Sequence, residues 1–334
     1  MLLKDCILDA DVFLSAPFER DEPEERWTTA RDSGAIPPEL YDLYRTARFL
    51  SFRAGPRFLT DDRNVLFSYF SILLNCLVDA LVTASEQVTA FASDQNLTYD
   101  LGKKLRGEHW DPQADVRARR HFRDLLIALD GSLDTVADIT AIFLTGRIGG
   151  LQLGRGDFLK IEQWLGQPLR VPTAILTPYD SHQLRLYDEL KRLVLPGPPE
   201  KDWLPLMHML RNKSIHLGQA TLRQIGLHDA SRKFFVFLPR KWPFIWESDT
   251  KPAGSTAKSE RSDMPSLLDE LLVHQDIVSY TDGLQKKVFQ VVQAAISEIL
   301  SMYRAFKDFD TNEAAIAELD RNSVTFEFEN FVDK

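Results

Sequence analysis

The sequence predicts a mainly α protein: an antiparallel helix bundle with long connections, a short β hairpin or strand near 233–238 and a C-terminal edge strand. Three observations predict it. Apolar residues recur at three- and four-residue spacings through several long segments, the period of an amphipathic helix. Strands do not alternate with helices, as a parallel sheet would require. The hardest break, Pro196-Gly197-Pro198-Pro199, falls between periodic segments.

Residues 1–34 are mixed and acidic, and Pro23 argues against a long helix there. A short helix is expected after Pro37-Pro38, over 39–49. The first long helix opens at Thr60-Asp61-Asp62, good capping residues that place negative charge at the positive helix end. Its stripe is Leu66, Phe70, Leu73, Leu77, Leu81, Ala84 and Val88, running to about Ser93. A polar connection over 94–112 follows. The second long helix is expected over about 114–145, with Phe122, Leu125, Leu126, Leu129, Leu133, Val136, Ile139, Ile142 and Phe143 as apolar positions. Gly131 lies inside it, and Gly146, Gly149 and Gly150 stop it.

Segment 147–178 is broken by Gly and Pro around one short helix near 157–165. Thr177-Pro178 reads as an N-cap followed by proline at the first helical position, opening a helix to about Leu195. Another helix runs from near Asp202 to Leu217-Gly218. Residues 233–238, rich in Phe, favour a strand. The stretch 247–266 has almost no apolar content and is expected to be a mobile loop. The closing helix covers about 277–309, with Leu284, Val288, Val291, Val292, Ala295, Ile299 and Met302 on one side. In the tail, 323–331 alternates apolar and polar residues, as an edge strand does. The organisation expected is an N-terminal extension of unknown role over 1–60, a helical domain over 61–310 and a tail over 311–334.

Composition limits the function classes. The 334 residues carry a formal charge of −9, which argues against a chain coated with basic charge for indiscriminate nucleic-acid binding. Two cysteines, Cys6 and Cys76, exclude a disulfide framework and a cysteine-based zinc site, and they fit a reducing cytoplasm. The most apolar segment, 65–84, contains Asn75 and Asp79 and reads as a buried bundle helix, with no membrane expected. No glycine-rich phosphate loop, Gly-x-Ser-x-Gly elbow or His-Glu-x-x-His motif is present.

The constellation that stands out lies on the helix from 202. Arg211-Asn212-Lys213-Ser214-Ile215-His216 places an arginine and a histidine with four residues between them, and an amide after the arginine. Asn212 and His216 share a helix face at i and i+4, and His208 precedes them on it. Arg211 and His216 differ by about 140° on a regular helix. They would converge through a loosened helix end near Gly218 or through two copies meeting across a dimer axis.

This motif resembles that of the HEPN family, whose mark is Arg, four to six residues, then His, often with a polar residue after the arginine. The order of elements over roughly 61–310 is similar as well: helical bundle, motif helix, short strand region, long closing helix. The resemblance implies a metal-independent ribonuclease acting as a homodimer with a composite site, in a toxin–antitoxin or antiviral system, with a protein antitoxin or inhibitor as partner and no cofactor. A HEPN variant carries a tyrosine two residues after the histidine as the target of an adenylyl-transferring antitoxin. Gly218 stands there in this chain, so that control is not expected.

The residue types suit RNA cleavage. Histidine exchanges protons near neutrality, and arginine offers a permanently charged planar fork to phosphate. Asn212 would orient His216 or bind phosphate. Residues 211–241 carry seven basic side chains and one acid, a net of +6 on an acidic chain. Lys213, Arg223, Arg232 and Lys233 are the expected RNA contacts, with Phe234, Phe235, Trp242 and Trp246 beside them. The plainer reading makes Arg211 the partner of a bundle carboxylate and His216 a C-terminal residue favoured by the helix dipole. A non-catalytic HEPN-like binding or scaffold module is the alternative function.

Two further patterns are set aside. Cys6-Ile-Leu-Asp-Ala-Asp-Val-Phe-Leu14 is similar to the opening strand of PIN-type nucleases, but the parallel strands and further carboxylates of that fold are not evident. Arg117-Ala-Arg-Arg-His121 has the wrong spacing for the motif and reads as surface.

Overall fold

In a computed structural model of the chain, the described residues are 22–44, 62–99, 111, 113–143, 158–169, 178–197, 203–216, 225–228, 234–239 and 272–306. They are mainly α. In chain order the elements are α1 (Glu22–Asp32), α2 (38–44), α3 (Asp62–Tyr99), α4 (Ala114–Phe143), α5 (Phe158–Leu165), α6 (Pro178–Val194), α7 (Trp203–His216), β1 (Ile225–His228), β2 (Phe234–Pro239), β3 (Leu272–Asp276) and α8 (Ile277–Phe306). The expected mobile loop over 247–266 and the tail strand over 323–331 lie outside the described residues.

The chain divides into two compact units, one formed by 1–85, 128–201 and 287–334, the other by 86–127 and 202–286. In the first, α1 tolerates Pro23 because it falls in the first turn, where the amide has no helical partner. The helix ends on a glycine cap. Ala35 N–H donates to Ala30 O and Gly34 N–H to Arg31 O, and Gly34 has a φ of 73°, a left-handed conformation that suits glycine. Trp27 is fully buried and stacks on Tyr44 with ring centroids 3.9 Å apart. Its indole Nε1 donates to Asn75 Oδ1 of α3 at 3.1 Å, and Arg26 pairs with Asp79 one turn further on.

The α3 stripe fills this core through Phe70, Leu73, Leu77, Leu81 and Ala84, and Leu74 and Val78 widen it. Leu129, Leu133, Val136 and Ile139 of α4 and Val288, Val291, Val292, Ala295, Ile299 and Met302 of α8 are buried too. Each such large apolar side chain contributes about 1.5–3 kcal/mol on burial. Asp134 of α4 accepts the first amide of α5, Phe158 N–H, at 2.9 Å. Tyr187 of α6 places its hydroxyl 2.6 Å from Gln167 O just beyond α5. Glu298 of α8 receives His182 Nδ1 at 3.1 Å and Arg185 Nε at 3.4 Å from α6.

The second unit holds Phe91 of α3 against Phe122 of α4, with centroids 5.5 Å apart. Leu125 and Leu126 of α4, Leu204, Met207 and Leu210 of α7, and Ile277 and Leu284 of α8 are buried with them. A three-stranded antiparallel sheet of order β1-β2-β3 belongs to this unit. Ile225 pairs with Phe237 and His228 with Phe234; Phe237 pairs with Asp276 and Pro239 with Leu272, with a register irregularity between the last two pairs. Asp276 ends β3 and caps α8: its Oδ1 accepts Val278 N–H at 3.1 Å and Ser279 N–H at 3.2 Å.

The stretch Phe70–Leu97 of α3 has the length and apolarity to cross a membrane, with a mean hydropathy of 1.2, and about a third of it is buried in the protein.

Candidate functional site

The motif helix α7 buries Leu204, Met207 and Leu210, at spacings of three that suit a helix face, with Trp203 beside them at its start. The arginine that follows comes out of the core half-buried, and the asparagine after it is exposed. The two side chains meet: Arg211 Nη1–H donates to Asn212 Oδ1 at 2.9 Å. With Oδ1 committed, the amide N–H groups of Asn212 are its remaining polar face. Lys213 and His216 lie on the last turn of α7, but their side chains fall outside the described residues, as do Arg223, Arg232 and Lys233 altogether. The structure therefore brings Arg211 and Asn212 together and describes no side-chain contact for the other predicted site residues.

The helix is regular from Trp203 through His216, so the backbone directions of Arg211 and His216 are about 140° apart. Both residues lie within the helix, and the stretch around Gly218 lies outside the described residues. His208, one turn before Asn212 on the same face, is half-buried.

A second guanidinium–imidazole pair, read from the sequence as surface, is part-exposed as expected, with the Arg117 side chain 40% exposed, but it is tied to acids and an amide of its own unit. Helix α3 does not stop near Ser93 but continues to Tyr99, so the expected polar connection over 94–112 starts inside a helix. Asp94 and Gln95 are buried. Asp94 Oδ1 accepts Arg117 Nη2–H at 2.7 Å and Nε–H at 3.1 Å, and Asp94 Oδ2 lies 3.1 Å from the same Nε. Asp111 Oδ2 accepts from Nη2 at 2.6 Å, while Asp111 Oδ1 caps the start of α4 through Gln113 N–H at 2.8 Å. His121 completes the group, with Nε2 3.4 Å from Asp94 Oδ2 and Nδ1 2.6 Å from Gln87 Oε1.

The hydrogen bonds from Asp94, and then from Asp111, hold the Arg117 guanidinium above its ordinary range. Gln87 and Asp94 are seven residues apart on α3, and Arg117 and His121 four apart on α4, so each pair occupies one face. That double spacing was the available signal. Both ring nitrogens of His121 have protein partners, which leaves neither aimed at a substrate. The group is a clasp between α3 and α4.

Tyr280, in the first turn of α8, is also buried, and its hydroxyl has no hydrogen-bond partner among the described residues. Burial pushes its pKa up. Among the described residues no group of three or more His, Cys, Asp or Glu is arranged to hold a metal ion.

No family model, no curated protein and no solved structure matches this chain.

Proposed function

We propose that the chain is a HEPN-like endoribonuclease built on an antiparallel helix bundle with a small β region, working in the cytoplasm as a homodimer in a toxin–antitoxin or antiviral-defence system. Arg211, Asn212 and His216 form its site, and Lys213, Arg223, Arg232 and Lys233 hold RNA. The observation that carries the reading is the Arg211–Asn212 pairing at the solvent-facing end of α7. It presents a guanidinium and an amide side by side, both donors, as a phosphate oxygen requires.

The chemistry follows from those groups. A histidine takes the proton of a ribose 2′-hydroxyl as its oxygen attacks the adjacent phosphorus. The bond from phosphorus to the 5′-oxygen breaks, and a second histidine returns a proton to that oxygen. Arg211 neutralises the charge building on the equatorial oxygens. The products are a 2′,3′-cyclic phosphate and a 5′-hydroxyl. The wide angle between Arg211 and His216 on one helix makes the partner copy the natural source of the second group.

The test is cleavage of RNA by the purified chain in EDTA. A cyclic-phosphate product that disappears in Arg211→Ala and in His216→Ala supports the enzyme. Unchanged cleavage in both variants ends this assignment. The same wide angle also supports the second reading, a non-catalytic HEPN-like binding or scaffold module. That reading predicts no cleavage and partner binding that survives His216→Ala.

A further inference from the structure

Helix α4 presents an exposed face unlike the rest of its surface. Val116, Arg119, Arg120, Arg123 and Ile127 fall at spacings that keep them within an arc of about 100°. Val116 is 41% exposed and Ile127 42%, two of the few large apolar side chains so open among the described residues. Arg120 is exposed, with no ion pair among the described residues. Arg119 pairs with Asp115 and Arg123 with Asp124, on the same helix and at the flanks of the face. Such half-exposed pairs between near neighbours are weak and give way to a stronger anion.

An ordinary solvated face is rich in Lys and Glu. This one combines three arginines, a residue type that contact surfaces favour, with two open apolar side chains and carries no lysine or glutamate. Three arginines against the flanking Asp115 and Asp124 leave it net positive, which suits a polyanion. Arg119 and Arg123 are one turn apart, about 6 Å along the axis, comparable to the step between successive phosphates of an extended strand.

We infer that this face of α4 is a track for the backbone of single-stranded RNA. The arginines take the phosphates, and Val116 and Ile127 cover the apolar edges of sugar and base. The face lies in the same unit as α7. The inference rests on the reading of RNA as the ligand of that unit and adds a contact separate from the Arg211 motif.

The probe is a labelled 2′-O-methyl oligouridylate, which the proposed mechanism cannot cut, bound to the full chain across a KCl series. Each single-strand phosphate contact adds about 0.7 to the slope of log affinity against log salt, so Arg119→Gln/Arg120→Gln/Arg123→Gln is expected to flatten the slope by about 2. It should weaken binding about tenfold at low salt, and Arg120→Glu alone, at an exposed position without an ion pair among the described residues, should weaken it in the same direction. An unchanged slope in both variants overturns the track, as does an intact chain that does not bind the probe. Displacement of the probe by polyglutamate at equal charge concentration also overturns it, in favour of an acidic protein partner. The two proposals separate cleanly. Arg211-dependent cleavage with an unaltered salt slope leaves the nuclease and removes the track. A flattened slope without any cleavage does the reverse.

Discussion

Two helices of this protein each carry an arginine followed by a histidine, and one residue of spacing separates their fates. On α4, Arg117 and His121 are four apart, share a face and converge on the single carboxylate of Asp94. On α7, Arg211 and His216 are five apart, so their positions around the helix differ by about 140°. A spacing of four brings cation and imidazole to one internal partner, which saturates them. A spacing of five puts the two positions on different sides of a helix, and Arg211 has the amide of Asn212 beside it. Saturation makes a fastener between α3 and α4.

The largest effect that would break this contrast is catalytic. Under the proposed function, Arg211→Ala and His216→Ala each reduce single-turnover RNA cleavage by about 10²–10⁴-fold, the range of a lost acid–base or charge-stabilising group. Arg117→Ala and His121→Ala leave that rate within a few-fold when assayed below their melting temperatures. The opposite pattern would exchange the roles of the two pairs.

Next comes stability. Asp94→Ala removes the carboxylate that joins α3 to α4 and is expected to cost about 2 kcal/mol, the scale of hydrogen bonds to charged groups. A thermal melt reads it, and an unchanged midpoint would show that the clasp fastens nothing.

Smaller effects provide controls that touch neither pair. The Tyr280 hydroxyl is buried without a partner among the described residues, so Tyr280→Phe is expected to be neutral or stabilising by up to about 1 kcal/mol. Its raised pKa also fixes a sign. The folded state favours the neutral phenol, so that contribution is complete below the ordinary tyrosine range near 10 and is lost as pH rises beyond it. Denaturant midpoints measured upward from pH 9 should fall less steeply in Tyr280→Phe. Smallest is Gly131→Ala. A Cβ there meets nothing within 4 Å, and replacing a mid-helix glycine should add about 0.5–1 kcal/mol to the unfolding free energy.

The mainly helical character was legible because long periodic stripes dominate it. Leu284 through Met302 on α8 and Phe122 through Ile139 on α4 are buried as their spacing requires. Boundaries governed by local chemistry were also readable: α6 opens at Pro178, and α5 occupies 158–165. The end of α3 was not. Asp94 and Gln95 look like the start of a loop, and only Arg117, 23 residues away, explains why a carboxylate can be buried there. The strands β1 and β3 escaped notice for a related reason. Ile225–His228 and Leu272–Asp276 are short and carry Gly, His or Gln, and their pairing with β2 is long-range. Of the site, the Arg211–Asn212 adjacency could be read directly, while the competing pair on α4 was hidden by its distant acid.

The indole that α1 inserts beside Asn75 has a practical corollary for dissecting the chain. A shortened version beginning at residue 61 would strip a stacked aromatic pair from the neighbouring helix. It would also leave an amide oxygen and the carboxylate of Asp79 without their donors. Such a fragment is expected to precipitate on expression, so boundaries for recombinant work belong upstream of Glu22.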